Sequence, residues 1–283
     1  SSDVCSSDLN AWTPDAEFVV HPPMGKWLIA IGEQLFGFNS FGWRFASVVF
    51  GSLLVLMTIR LARRLSRSTM VGAIAGILLT LDGLAFVMSR VGLLDIFQAF
   101  FLVAGVSAVA ADRDWFRHHL ADHLRAVGKP HLDGVFGPAQ GWRPWRLVAG
   151  VMFGLACATK WNSMFVLATM GIISVIWDWS ARRLAGAGTK AWWSFLRDGV
   201  PAFVYMVVVA VGSYIATWAR WLSVYPHMVL GKSWAGPNPD PGLSKVIGKP
   251  LAALWDYHQQ MYDFHTGSYM MTQTHVYASN PSG

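Results

Sequence analysis

Six stretches of this chain, at about 44–60, 71–89, 93–111, 146–160, 162–178 and 200–220, are apolar with few interruptions. A helix needs about 20 predominantly apolar residues to cross the hydrocarbon of a bilayer, so their lengths and spacing predict an all-α, polytopic transmembrane helical bundle. Composition agrees: 13% of the 283 residues are charged, about half of the ~25% usual in soluble domains. A disordered chain, a coiled coil and a disulfide-stapled secreted module are thereby excluded. The two cysteines, Cys5 and Cys157, allow one bridge at most, and Cys157 lies within an apolar run, where it packs. A further segment, Lys26–Phe36, is apolar on one side, carries Glu33 and is too short to span, which predicts a helix lying in the interface.

The ends differ from the rest. SSDVCSSDL is a near-duplicated polar tract without the basic start and apolar core of a signal peptide, and it is set apart from the fold. The chain stops at Asn280-Pro281-Ser282-Gly283 after a long polar stretch. The reading is a fragment: a tract at 1–10, a partial membrane domain at 11–221, and a partial extracytoplasmic loop at 222–283.

A pI near 9.5 would suit nucleic acid in a soluble protein, but here the basic residues sit between apolar runs and report topology. Three predicted loops, 60–67, 112–146 and 181–197, hold fourteen of the twenty-two Lys and Arg residues, and with six spans all three fall on one face. The positive-inside rule makes that face cytoplasmic. Lys232, Lys245 and Lys249 belong to the polar tail and Arg220 to its start, which leaves Lys26, Arg44, Arg90 and Lys160 at span mouths on the other face. Each could snorkel to the headgroups. Four at one depth from separate elements also fit one shared anion, and Arg and Lys are the residues that grip phosphate.

Two acids stand in apolar surroundings. Asp82, followed by Gly83, reads as a structural hydrogen-bonding acid between helices. Asp95, five residues after Arg90, suits either a structural ion pair or a site role. His21-Pro22-Pro23 forces extended backbone and then permits a helix start, so HPPMGK reads as an elbow placing Lys26 in the first turn of a helix. The tail carries His258, His265 and His275, but spacings of seven and ten residues match no standard zinc motif, and an amphipathic surface helix over about 248–264 is the better reading.

HPPMGKWLIAIGEQLFGFNSFGWRF, SRVGLLDIFQAFF, GLACATKWN and the late THVYASNP, in that order, resemble the bacterial polyprenol-phosphate-mannose–protein mannosyltransferases, relatives of the dolichyl-phosphate-mannose enzymes. The resemblance runs from about residue 14 to the end. It implies a GT-C glycosyltransferase of the cell membrane, a bundle of about eleven spans of about 20 residues each, about six of them present here. It further implies mannose transfer, with inversion, from polyprenyl-phosphate-mannose to Ser or Thr hydroxyls of exported proteins on the extracytoplasmic face, with the secretion translocon as a candidate partner and with no cofactor and no metal. The family's adjacent Asp-Glu pair, which supplies acid/base chemistry upstream of the elbow, has no counterpart: Asp15 and Glu17 are separated by Ala16, and no Asp-Glu dipeptide occurs. The expectation is a chain lacking its catalytic loop and inactive alone.

The chemistry explains the residue types. A hydroxyl nucleophile needs a carboxylate base, and the departing phosphate develops charge that fixed cations stabilise. Lys26, Arg44, Arg90 and Lys160 are the candidates for the carrier phosphate, with Lys26 and Arg44 foremost. Asp95 would orient one of these cations, and His21 would shape the elbow or touch the donor. Trp161, Asn162, His265, Tyr277 and Asn280 are candidates for support of the donor or acceptor. Two alternatives stand beside this: the same carrier chemistry with a lipid or glycan acceptor, and a transporter. Basic residues gathered at a face rather than through the midplane, and no pair of broken spans in two halves, speak against transport.

Overall fold

A computed structural model of the protein describes residues 18–227 and 236–267, which divide into two compact units, 22–217 and the segments up to 21 and from 218 onward. The tract at 1–10, Asp15, Glu17, His275, Tyr277 and Asn280 lie outside the described residues.

The 22–217 unit is built of helices and the connections between them. Its elements are α1 (Met24–Phe36), α2 (Gly42–Ser66), α3 (Thr69–Leu81), α4 (Gly83–Met88), α5 (Asp95–Ala126), α6 (Pro144–Cys157), α7 (Ser163–Arg182), α8 (Ser194–Arg197), α9 (Gly199–Phe203) and α10 (Val209–Ala216). Among the described residues, three runs are long and apolar enough to cross a membrane: Gly42–Ser66, Asp95–Ala126 and Ser163–Ala216; Thr69–Leu81 and Pro144–Cys157 are apolar but shorter. The 163–216 run is not one rod. Gly186 takes φ 92°, a left-handed conformation that only glycine adopts freely, and α9 with the wide turn Val204–Val208 packs back against α7.

α5 is the axis of this unit. Its apolar window is 61% buried, against 22% for α2, because its faces feed three successive clusters. Ile96, Phe97 and Phe101 meet Ala46, Leu54 and Ala156; Ala108 and Val109 meet Phe153, Met170 and Met206; Phe116 and Leu120 meet Leu132 and Ala181. α6 reaches its neighbours through small residues. A Cβ on Gly150 or Gly154 would collide with the Tyr205 or Ala210 carbonyl, the close approach that a Gly-x-x-x-Gly face permits.

Several boundaries differ from those the apolar runs predict. The run 71–89 breaks at Asp82, whose backbone is extended (ψ 121°) and whose carboxylate accepts from the Ala85 N–H at 2.8 Å, capping α4. Asp82 therefore serves a helix start within its own segment and does not bridge two helices. The predicted loop 60–67 is the end of α2, with Arg63 and Arg64 in its last turn, where cations complement the helix dipole. The predicted loop 112–146 is helical to Ala126, and two of its arginines, Arg143 and Arg146, are buried instead of marking a solvated face.

The reason is an ionic core. Arg143 donates through Nε to Asp112 Oδ1 (2.9 Å) and through Nη1 to Asp178 Oδ2 (3.2 Å); Arg146 donates to the same two carboxylates at 3.0 and 2.9 Å. All four side chains are 1–2% exposed. Charges this deep persist only when paired and hydrogen-bonded, and two carboxylates against two guanidiniums meet that condition. Arg182 forms a second lock, bidentate to Asp198 at 2.8 Å, with its remaining nitrogen on the carbonyls of Phe136 and Pro138. The 127–143 connection is thus tied down by backbone contacts and charge.

The other unit holds α11 (Ala219–Val224), α12 (Pro241–Ile247) and α13 (Lys249–Thr266). The segment entering the elbow lies along α13: Tyr257 Oη accepts from the Val19 N–H and donates to the Val19 carbonyl, both at 2.9 Å, and Phe18 packs against Tyr257 and Phe264.

Candidate functional site

Within the 22–217 unit, three motif-bearing segments converge at one end. The Met24 N–H donates to the Ala158 carbonyl at 3.0 Å, joining the start of α1 to the connection between α6 and α7. Gly25 is buried there, and a Cβ on it would stand 2.6 Å from Leu94 Cδ2 and 3.3 Å from Thr159 Cγ2. Glycine is needed so that α1, the start of α5 and the 158–163 turn can meet. Lys26 follows directly in the first turn of α1, and burial pulls its ammonium down to about 8.

On the facing segments, Lys160 Nζ donates to Asp95 Oδ1 at 2.6 Å. Asp95 is the first residue of α5, so its charge also suits a helix N-terminus. Its cation partner is Lys160, 65 residues away, rather than the sequence neighbour Arg90. The pair is 26% and 39% exposed, an arrangement that leaves the ammonium oriented yet accessible. One turn further along α5, Gln98 donates through Nε2 to Ser163 Oγ at 2.8 Å and to the Asn162 side chain. Trp161 donates through Nε1 to Tyr214 Oη at 3.0 Å, so the Lys160-Trp161-Asn162 turn is held by α5 on one side and α10 on the other.

The remaining candidates are placed differently. Arg44 and Arg90 are exposed, each guanidinium lying over an aromatic ring of its own segment: Arg44 5.0 Å from the Trp43 centroid, Arg90 3.8 Å from that of Phe86. Trp43 also packs near Gly92, which ties the start of α2 to the 90–94 connection. In the other unit, His21 and His265 approach with ring centroids 5.8 Å apart. His265 Nδ1 contacts the Met261 carbonyl at 2.7 Å and His258 Nδ1 the Leu254 carbonyl at 2.7 Å; burial pulls His258 below its ordinary value.

Two functional-looking residues escape a reading by charge alone. Gln98 is uncharged but sits at i+3 from Asp95, which puts both on one helix face, and that spacing in an apolar run was the available signal. Tyr214 carries no local signal; only packing brings it to Trp161.

The described residues therefore define a helical, multi-pass type of membrane protein of the GT-C class, with a polar, cation-bearing cluster at one end of an apolar bundle. Residues 20–116 match the sequence profile of the dolichyl-phosphate-mannose-protein mannosyltransferases. It is 39% identical over 261 residues to the polyprenol-phosphate-mannose–protein mannosyltransferase of Mycobacterium tuberculosis, covering 90% of this chain and 48% of that protein. The enzyme of the same name from Corynebacterium glutamicum is 36% identical over 256 residues, 89% of this chain and 48% of the relative. A more distant likeness, 31% over 175 residues (60% of this chain, 27% of the relative), is to the undecaprenyl phosphate-alpha-4-amino-4-deoxy-L-arabinose arabinosyl transferase of Pseudomonas aeruginosa. The chain spans about half the length of the curated mannosyltransferases it matches. No solved structure matches it.

Proposed function

We propose that this chain carries the donor-phosphate half of a protein mannosyltransferase site, which takes mannose from a polyprenyl-phosphate carrier to Ser or Thr hydroxyls of exported proteins. In this reading the bundle crosses the cell membrane about six times, with the elbow, the start of α5 and the 158–163 turn on the extracytoplasmic face. The acceptor oxygen attacks the anomeric carbon, the bond from that carbon to the phosphate oxygen breaks on the opposite side, and the configuration inverts. The hydroxyl proton goes to a carboxylate base. This chain has no Asp-Glu dipeptide, so that base comes from outside it, and the chain alone is inactive.

Lys26 and Lys160 would meet the phosphate as its charge develops, Asp95 would hold Lys160 in position, and Arg44 and Arg90 would contribute from the neighbouring rim. The observation that supports this most is the convergence of Lys26, Asp95 and Lys160 from three separate motifs, set by the Met24–Ala158 hydrogen bond and the Lys160–Asp95 pair. A shared lipid-phosphate donor is also in the names of both kinds of relative, those acting on protein and the arabinosyl transferase. The test is mannose transfer to an exported acceptor peptide by membranes carrying the gene at its native length. Lys26→Ala is expected to lower turnover about 100-fold; unchanged turnover would overturn the assignment.

A further inference from the structure

We propose that the groove between α2, α5 and α6, at the basic end of the 22–217 unit, binds one anionic membrane phospholipid. The groove is a cavity of about 1420 Å³ whose lining changes character along its length. At one end Leu56, Phe100 and Met152 make apolar walls. Trp115 and Trp145 follow, the residues favoured at headgroup depth. At the other end stand Arg60, Arg63, Arg64 and Arg67 of α2 and its C-cap, with Arg117 of α5.

The helices run so that this gradient is coherent. Arg64 Nη1 meets Asp114 Oδ2 at 3.0 Å, which pins the late part of α2 to the late part of α5. α6 enters from the basic end at Trp145 and reaches the apolar end at Met152. Along α2 the lining runs from Leu56 to Arg67, about 16 Å, and along α5 from Phe100 to His118, about 27 Å at ~1.5 Å per residue; the two bracket the ~20–22 Å from the bilayer centre to the outer edge of the headgroups. The groove thus has the depth of one leaflet, with the cations where a headgroup would sit.

Charge decides the occupant. Asp114 is the one carboxylate among the described residues of the lining, and it is shared with Arg113, also at 3.0 Å. Five arginines around one engaged carboxylate call for added negative charge. An arginine at a helix end can snorkel alone, but these frame a cavity with an apolar floor rather than face bulk lipid. An isoprenoid carrier would overrun a groove one leaflet deep, and a helix seated there would need several acids to meet the arginines. A phospholipid with an anionic headgroup satisfies both ends at once. Nothing in this depends on the transferase reading, so each can fail without the other.

The test is native mass spectrometry of the full chain released from nanodiscs made of equal phosphatidylglycerol and phosphatidylcholine. One phosphatidylglycerol per chain is expected to be retained in excess over phosphatidylcholine. R63Q/R64Q/R67Q should lower that retention at least about tenfold, since each arginine near the surface contributes on the order of a fewfold. R63K/R64K/R67K keeps the charge and should retain the lipid, which separates lost binding from lost folding; Arg125→Gln, outside the groove, should change nothing. Equal retention of the two lipids, a glutamine triple variant that holds phosphatidylglycerol as the unaltered chain does, displacement by equimolar polyprenyl phosphate, or no retained lipid would each overturn the proposal.

Discussion

The start and the middle of α5 hold the same residue types to different purpose. At its start Asp95 pairs once, with Lys160, and both remain partly exposed. Seventeen residues on, about 26 Å along the axis, Asp112 is enclosed with Arg143, Arg146 and Asp178, every member 1–2% exposed and bonded more than once. Arg146 Nη1 is the one nitrogen of the four side chains left without a partner, but the charges balance two against two and none of them is reachable from outside, so the network's role is to fix the helices. A pair held loosely at the surface adds little to stability but keeps a cation aimed and reachable. Pairing of charge is thus common to scaffold and site; repeated pairing and burial tell them apart.

The sharpest way to break that contrast is to remove one member of the buried network. Arg146→Met strands two carboxylates that now share two guanidiniums, and loss of one partner from a buried ionic group costs about 3–5 kcal/mol. The expected outcome is loss of most folded protein, read by detergent thermal denaturation and size-exclusion recovery. Replacing the group by apolar residues of similar volume, Arg143→Met, Arg146→Met, Asp112→Leu and Asp178→Leu together, should recover much of the loss, because no charge is then left unmet. If the single variant melts like the unaltered protein, the network is not what holds α5, α6 and α7.

The open pair should behave in the reverse way. Lys160→Met removes an exposed ion pair worth about 0–1 kcal/mol, so the melting temperature should hardly move, while transfer in the native-length protein should fall about 100-fold. Asp95→Asn, which keeps a hydrogen-bond acceptor for Lys160, should fall less. A Lys160→Met variant that melts early and still transfers mannose would make this end scaffold as well.

How much of this was legible beforehand follows the range of each interaction. α1 begins at Met24 directly after two prolines, and α13 at Lys249 directly before Pro250, because proline acts on its immediate neighbours and is visible in sequence. The break at Asp82 was hidden because counting apolar residues is blind to a cap, although Asp-Gly is a start signal. The ionic core was hidden for a deeper reason. Asp112, Arg143, Arg146 and Asp178 lie up to 66 positions apart, no spacing relates them, and each alone resembles a solvated loop charge. At the candidate site, Lys26 and Lys160 stood out because they oppose the topological charge pattern, and Asp95 because it stands in apolar surroundings, but the choice of Lys160 over Arg90 as the partner of Asp95 was made by packing alone.

The smallest expected effect concerns pH and sharpens the comparison at Lys26. Burial pulls its ammonium to about 8, against about 10.4 for a solvated lysine. A depressed lysine loses its proton, and with it the charge that meets a phosphate, as pH rises through 8. The phosphodiester of the donor stays singly negative throughout, so the lysine is the group that titrates. From pH 7 to pH 9 the charged fraction falls about tenfold; kcat/KM, which reports the free enzyme, should fall by that factor. The fall in kcat should come at higher pH, because bound phosphate favours the charged form and lifts the pKa. Lys26→Arg keeps a cation that does not titrate in this range and should flatten the kcat/KM profile at whatever activity its bulkier head allows. A profile that still falls through pH 8 in the arginine variant would mean that another group titrates, and that Lys26 is buried for packing.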